Sequence, residues 1–267
     1  MADMGNGDME YLREESRKRK IAIFDHHKLF TDIGNLLIVN PCKANIPDTL
    51  NPSASYVAWR ACGDEKTAWL AVIGAIGDKG EKKIGALLEE TKARYGISME
   101  QMRKCAQMLD AAEAYEPGGA NIVVSALMRC GGPKDLLEGN WPEIQELRGK
   151  KEKIEAEIQR IADEYQGNAN QKLIAYGIET KYGIKGDVAN VLQERYPHKI
   201  VLIYVEKNGQ IRLSMRTNID ADIATAIKKA LGPHGRGGGH PKASGAEMPK
   251  EEFDGFLERL RDGLGVK

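Results

Sequence analysis

The sequence predicts an α/β protein of two domains, an N-terminal parallel-sheet domain and a smaller α+β domain with a mixed sheet. Three observations predict it. The short apolar run Ile21-Ala22-Ile23-Phe24 breaks off into Asp25-His26-His27, the pattern of a buried strand that ends at a polar site. Residues 141–165 are densely charged but carry Ile144, Leu147, Ile154, Ile158, Ile161 and Tyr165 at three- and four-residue spacing, which predicts one long amphipathic connector helix. Beyond Gln166-Gly167-Asn168-Ala169-Asn170 the texture changes to β-rich runs. The expected boundaries are 1–140, a connector at 141–167, and 168–267.

Taken in order, residues 9–19 read as a short helix with a basic end that suits its C-terminal dipole. Residues 21–24 and 36–40 read as strands, the second stopped by Pro41. Asn51-Pro52-Ser53 opens a helix, and residues 67–76 form an apolar segment that runs into Gly77-Asp78-Lys79-Gly80. Helices fill residues 82–137, with Ser98 and Gln101 spaced as a capping box. In the second domain, 173–176 and 200–205 read as strands, and Lys207-Asn208-Gly209 turns the chain into a return strand at 210–216. Residues 221–231 read as a helix, 235–239 as a glycine loop and 251–264 as a terminal helix.

Composition narrows the function. Lys plus Arg and Asp plus Glu are 39 each, so no global field draws the chain to nucleic acid and any such contact is local. Aromatic residues make up 6%, which argues against extended base-stacking platforms. Cys42, Cys62, Cys105 and Cys130 show no C-x-x-C spacing, against a zinc knuckle or a disulfide framework and in favour of a reducing compartment. No apolar stretch is long enough to cross a bilayer and no signal-peptide core is present, so a cytoplasmic protein is expected.

The chemistry concentrates in three places. Asp25, His26 and His27 close the first strand, and Asp78 closes an apolar, glycine-containing segment. Asp3 stands one short helix before the Asp-His-His strand, as in a βαβ unit. Carboxylates and an imidazole converging at one sheet edge suit a hard or borderline ion such as Mn²⁺ or Mg²⁺, although Gly-Asp-Lys-Gly alone is also ordinary turn chemistry. In the second domain, Arg236, Gly237, Gly238, Gly239 and His240 combine exposed amides with cationic side chains, a pattern that holds anions. Arg216, at the end of a predicted strand, is placed to grip a phosphate bidentately, or is an ordinary surface arginine without that loop.

Together these motifs resemble the DHH phosphoesterase superfamily with its DHH-associated C-terminal domain, in the style of archaeal RecJ-like proteins. Residues 21–27 look like the motif that names the group, and Ile73-Gly74-Ala75-Ile76-Gly77-Asp78 like the aspartate motif that follows it. Leu213-Ser214-Met215-Arg216 and Gly237-Gly238-Gly239-His240-Pro241-Lys242-Ala243-Ser244-Gly245 look like the signature of the C-terminal domain. The resemblance implies a two-metal Mn²⁺ or Mg²⁺ site, with Asp3 bridging, His26 and Asp78 as ligands, Asp25 orienting the imidazoles and His27 facing the scissile phosphate. It implies that Arg216, Arg236, Gly237, Gly238, Gly239 and His240 hold substrate across an interdomain cleft. The implied activity is a phosphodiesterase or exonuclease that trims single-stranded DNA or RNA, or short oligonucleotides, from an end. The implied alternatives are a non-catalytic scaffold with a replication or repair partner, and a phosphatase for a nucleotide such as pAp.

One departure bears on activity. The family opens with a D-x-D motif at the end of its first strand, and here only Met1 and Ala2 precede Asp3. On this reading the first strand-helix unit is missing. One ion keeps at most Asp3, His26 and Asp78, the other keeps Asp3 alone, and catalysis by the chain as written is in question.

Overall fold

The computed structural model describes residues 9–26, 36–41, 52–167 and 171–266. It is a mixed α/β protein whose contacts divide it into two units, one of 1–112 and 120–148, the other of 113–119 and 149–267. Among the described residues no helix is long and apolar enough to cross a membrane.

The first unit begins with α1 (Met9–Ser16), β1 (Ile21–Phe24) and β2 (Leu36–Val39). The two strands pair in parallel, Ile21 opposite Leu36 through Phe24 opposite Val39. Ile23 is fully buried and packs with Leu12 of α1, so the apolar run is a strand because one side of it has a helix to cover. Helices follow: α2 (Ala54–Cys62), α3 (Ala68–Gly77), α4 (Gly85–Tyr95), α5 (Met99–Tyr115), α6 (Ala120–Leu127) and α7 (Pro133–Glu138). The Ser98–Gln101 box forms as expected at the start of α5: the Ser98 amide donates to Gln101 Oε1 (2.9 Å) and the Gln101 amide to Ser98 Oγ (3.2 Å).

Helix α3 is the centre of this core. Trp69, Ala71, Val72, Ile73, Ala75 and Ile76 are all buried, and a helix apolar on nearly every side is one that neighbours surround. Gly74 is where α2 crosses it. A Cβ there would lie 2.5 Å from Ser55 Oγ and 2.6 Å from Ser55 Cβ, so the close approach requires glycine.

Helix α8 (Pro142–Glu164) is continuous through Gly149. Ile144 and Leu147 belong to the first core, and Ile154 and Ile161 are buried further along. The second unit then adds β3 (Leu173–Gly177), α9 (Lys185–Arg195), β4 (Ile200–Lys207), β5 (Gln210–Thr217), α10 (Ile223–Ala230), β6 (Arg236–His240), β7 (Ala243–Pro249) and α11 (Phe253–Leu264). Its sheet has the order β3-β4-β5-β7-β6, with β3 and β4 parallel and the other pairs antiparallel. Asn208 and Gly209 turn the β4–β5 hairpin with φ of 53° and 71°, the left-handed pair a type I′ turn demands. Ile211, Leu213 and Met215 face a core closed by Ile223 and Ile227 of α10 and Phe256 and Leu260 of α11.

One expectation is corrected here. The segment read as a glycine loop, 235–239, is the edge strand β6 in residues 236–240, paired antiparallel with β7 from Arg236–Glu247 to His240–Ala243. Glycine has little intrinsic preference for strands. It serves here because the strands lie close: a Cβ at Gly237 would stand 2.7 Å from Ala246 Cβ, and Gly239 has φ of 139°.

Candidate metal centre and anion-holding face

In the first unit the chain leaves β1 at Asp25, whose amide still donates to the Val39 carbonyl (3.1 Å) and extends the parallel ladder by one residue. The Asp25 side chain is fully buried, and its Oδ1 accepts from the His26 amide at 2.6 Å. This local bond fixes the turn from which the His26 ring projects.

Asp78 reaches the same place from α3. It sits at the end of a helix rather than on a sheet edge. The Gly80 amide donates to the Ala75 carbonyl (2.7 Å) and the Lys79 amide to Ile76 (3.0 Å), the paired bonds of a Schellman ending. Lys79 takes the left-handed position at φ of 55°, where a non-glycine residue is uncommon. Asp78 is thereby locked between a buried helix and a closed turn. His26 Nδ1 lies 3.7 Å from Asp78 Oδ2, with the imidazole mostly buried and the carboxylate about one-third exposed.

The donor chemistry fits a divalent ion. Two ligand atoms each about 2.1 Å from one ion, and roughly 90–120° apart around it, lie about 3.0–3.6 Å from each other, just under the His26–Asp78 separation. An imidazole nitrogen with a carboxylate oxygen suits Mn²⁺ or Mg²⁺. Among the described residues no group of three or more such donors gathers. Asp3 and His27, expected at this site, lie outside the described residues. Beside Asp78, Gly77, Ile73, Ala106 and Asp110 line a cavity of about 260 Å³.

Burial pushes the Cys105 thiol up to about 12 and the Cys130 thiol up to about 11, which keeps both protonated and unreactive.

In the second unit four of the six expected substrate residues fall on one face of the sheet. Residues directly opposite in antiparallel strands share a face. The rows are Arg212–Glu247–Arg236, Ser214–Gly245–Gly238 and Arg216–Ala243–His240. Arg216, Arg236, Gly238 and His240 therefore stand together, while Gly237 and Gly239 belong to the opposite face. The middle row carries almost no side chain and makes a flat floor.

Four residues of this face are absent from the expected set: Lys185, Arg212, Ser214 and Glu247. The β5 alternation, with Ile211, Leu213, Met215 and Thr217 buried, already puts Arg212, Ser214 and Arg216 on one side. The start of α9 borders them. A Cβ at Gly186 would lie 3.2 Å from the Arg216 guanidinium and 3.8 Å from Ser214 Oγ. Helix α9 has no side-chain cap at its N-terminus, so the Lys185 and Gly186 amides are open to an anion, while the Asp187 amide donates to the Ile184 carbonyl (3.0 Å).

Arg216 is half-buried, and its Nε donates to Asn190 Oδ1 (2.8 Å), which fixes the plane of its fork. Burial pushes its guanidinium below the ordinary value, with Asp187 opposing. Burial, followed by repulsion from Arg212 and Arg216, lowers the Lys185 ammonium, with Asp187 and Glu247 opposing. Three cations thus crowd a partly desolvated corner. Glu247 bridges Arg212 (3.1 Å) and Arg236 (3.0 Å), so Arg236 is engaged by a carboxylate rather than free on a loop. His240 is exposed.

Residues 169–265 match the DHHA1 domain family. Among curated proteins, none matches the chain. Among solved structures, the chain is similar to RecJ of Thermus thermophilus in complex with Mn²⁺, at 20% identity and a TM-score of 0.71, over 98% of this chain and 44% of that one. It thus spans under half the length of that protein, which is also matched in complex with Mg²⁺. It is similar to a DHH domain described as a member of a family of ribosomal proteins, at 17% identity and a TM-score of 0.66, over 96% and 66% of the two chains. It is also similar to the pGpG-specific phosphodiesterase PggH of Vibrio cholerae, at 16% identity and a TM-score of 0.51, over 95% and 88%. Residues 169–265 are thus a DHHA1 domain, and the chain has a RecJ-like fold along nearly all of its length.

Proposed function

We propose that the chain is a Mn²⁺- or Mg²⁺-dependent phosphodiesterase that trims single-stranded nucleic acid or short oligonucleotides from an end. The observation that carries this reading is the approach of His26 Nδ1 to Asp78 Oδ2 at 3.7 Å, from stretches about fifty residues apart, over a buried Asp25. The site would supply, through divalent ions held there, an activated water and stabilisation of charge developing on the scissile phosphate. His26 and Asp78 would hold the ion, with Asp3 as the third ligand. Asp25 keeps the turn rigid so that the His26 ring keeps its aim, and His27 contacts the substrate phosphate.

The second unit does the gripping. Arg216 offers a planar fork to phosphate oxygens, Lys185 and Arg212 add charge, and the first amides of α9 donate hydrogen bonds. The Gly238–Gly245 floor lets a sugar-phosphate chain lie close to the sheet. The neighbours named above include a RecJ and a pGpG phosphodiesterase, which supports a phosphoester substrate.

The test is Mn²⁺-dependent release of mononucleotides from end-labelled single-stranded DNA and RNA by the 267-residue chain. The expected result is release that chelation abolishes and Asp78→Ala cuts by more than about 100-fold, beyond the loss typical of a residue that only supports a ligand. Release that survives Asp78→Ala contradicts the site. Strand binding without any release assigns the chain a scaffold role instead.

A further inference from the structure

We infer that Tyr115 and Tyr182 form a stacking site for a nucleobase of a single strand, with Lys153 and Lys181 taking its phosphates. The site is separate from the sheet face of the same unit, and it rests on the proposed function only in taking nucleic acid as the ligand.

Tyr115 ends α5 and Tyr182 lies in the segment between β3 and α9. Their rings stand 5.2 Å apart at 32°. The pair is held by backbone on both sides. The Gly183 amide donates to the Ala114 carbonyl at 2.7 Å, one residue from each ring, and the Tyr182 amide donates to Thr180 Oγ1 at 3.2 Å. The platform is therefore set before any ligand arrives, which lowers the ordering cost of binding.

Three lysines surround it. Lys150 Nζ and Lys153 Nζ lie 5.6 and 5.5 Å from the Tyr115 ring centre, and Lys181 Nζ lies 5.1 Å from that of Tyr182. Lys150 is buried and bound to Glu116 Oε1 at 2.7 Å, so its role is to anchor the end of α5 against α8. Lys153 and Lys181 are exposed and form no ion pair in the described residues. The carboxylate that Lys181 influences, Glu157, is hydrogen-bonded to Arg160 instead.

Half-exposed rings with exposed, carboxylate-free ammonium groups beside them match what a single strand presents. Its bases stack on aromatic faces and its phosphates neutralise nearby cations. A basic peptide would be repelled by the lysines. Aromatic residues are few in the composition, but here two are placed where stacking needs them.

The experiment is fluorescence anisotropy of labelled 20-mers of dT and U in EDTA, with salt titration, for the whole chain and three variants. Tyr182→Ala is expected to weaken binding about tenfold, within the range for loss of one stacked base, whereas Tyr182→Phe stays within about twofold. The double variant Lys153→Gln/Lys181→Gln is expected to reduce the slope of log K against log salt by about 1.4, about 0.7 per lysine. Far-UV circular dichroism checks each fold. The two lysines are exposed, so their variant decides the matter if Tyr182→Ala is misfolded. Wild-type affinity and salt slope in the folded variants, or no strand binding by the wild type, overturn the inference. Binding in EDTA is independent of hydrolysis, so loss of phosphodiesterase activity leaves this result readable.

Discussion

Replacing Gly74 by alanine sets a helix-propensity gain against a steric clash, and the structure says which wins. The new Cβ lies 2.5 Å from Ser55 Oγ and 2.6 Å from Ser55 Cβ. Carbon atoms pack at about 3.5–4.0 Å, so the overlap is about 1 Å. Rotating Ser55 moves its hydroxyl but not its Cβ, which the α2 backbone fixes, and rotation breaks the bond from Ser55 Oγ to the Ala71 carbonyl (3.1 Å). Helices α2 and α3 must therefore part. Overpacking costs about 1–3 kcal/mol and the lost hydrogen bond about 1, against a propensity gain of about 1. The net loss is about 2 kcal/mol, a fall in Tm of about 4–8 °C for a chain of this size.

The assay is differential scanning calorimetry with Gly77→Ala as the control. That variant lies on the same helix, and its Cβ meets only the Asp110 carboxylate oxygens at an ordinary 3.6 Å. Its Tm is expected to stay level or rise. Because Asp78 ends α3, Gly74→Ala is also expected to weaken Mn²⁺ binding where Gly77→Ala retains the α2–α3 contact. A Gly74→Ala protein that melts at or above the wild-type temperature refutes the close helix crossing and its part in placing Asp78.

Three other substitutions have defined outcomes. Gly149→Ala, in α8 with nothing within 4 Å of the new Cβ, should raise stability by about 0.5–1 kcal/mol in urea titration. Lys185→Met should be more stable than wild type at pH 7. The folded state lowers the Lys185 value, so wild-type stability rises with pH between that lowered value and the ordinary one near 10.4, and the advantage of Met fades across the same window. Inorganic phosphate should raise the wild-type Tm and do less for Lys185→Met. Glu247→Gln should be less stable than wild type at pH 7, because the hydrogen bond from Arg236, against opposing burial and with help from Arg212, holds the carboxylate below its ordinary value. Stability from a lowered carboxylate is present above about pH 4.3 and is lost as pH falls through the folded value, so urea melts of the two proteins should converge as pH falls through that lowered value.

Local signals made part of this fold legible. A strand that ends in polar residues, an Asn-Gly turn and a Ser–Gln capping box each carry their geometry in adjacent residues, and 21–24, the β4–β5 hairpin and the start of α5 follow from them. Strand β6 was hidden because nothing in Arg-Gly-Gly-Gly-His favours extended backbone over a loop. Its conformation comes from the closeness of β7, a tertiary contact. Asp78 was expected at the end of an apolar segment but not as a helix cap, because an apolar decapeptide has no period that separates a buried helix from a buried strand. Lys185 and Arg212 were missed for another reason. Neither is distinctive alone, and their meaning arises when the register of β5 and the start of α9 crowd them against Arg216.

The most direct measurement is pulsed electron paramagnetic resonance of the chain titrated with Mn²⁺. The expected spectrum carries coupling to an imidazole nitrogen that disappears in His26→Gln, together with a loss of affinity in Asp78→Asn. Mn²⁺ that binds without nitrogen coupling, or as tightly in Asp78→Asn as in the wild type, would show that His26 and Asp78 do not share an ion.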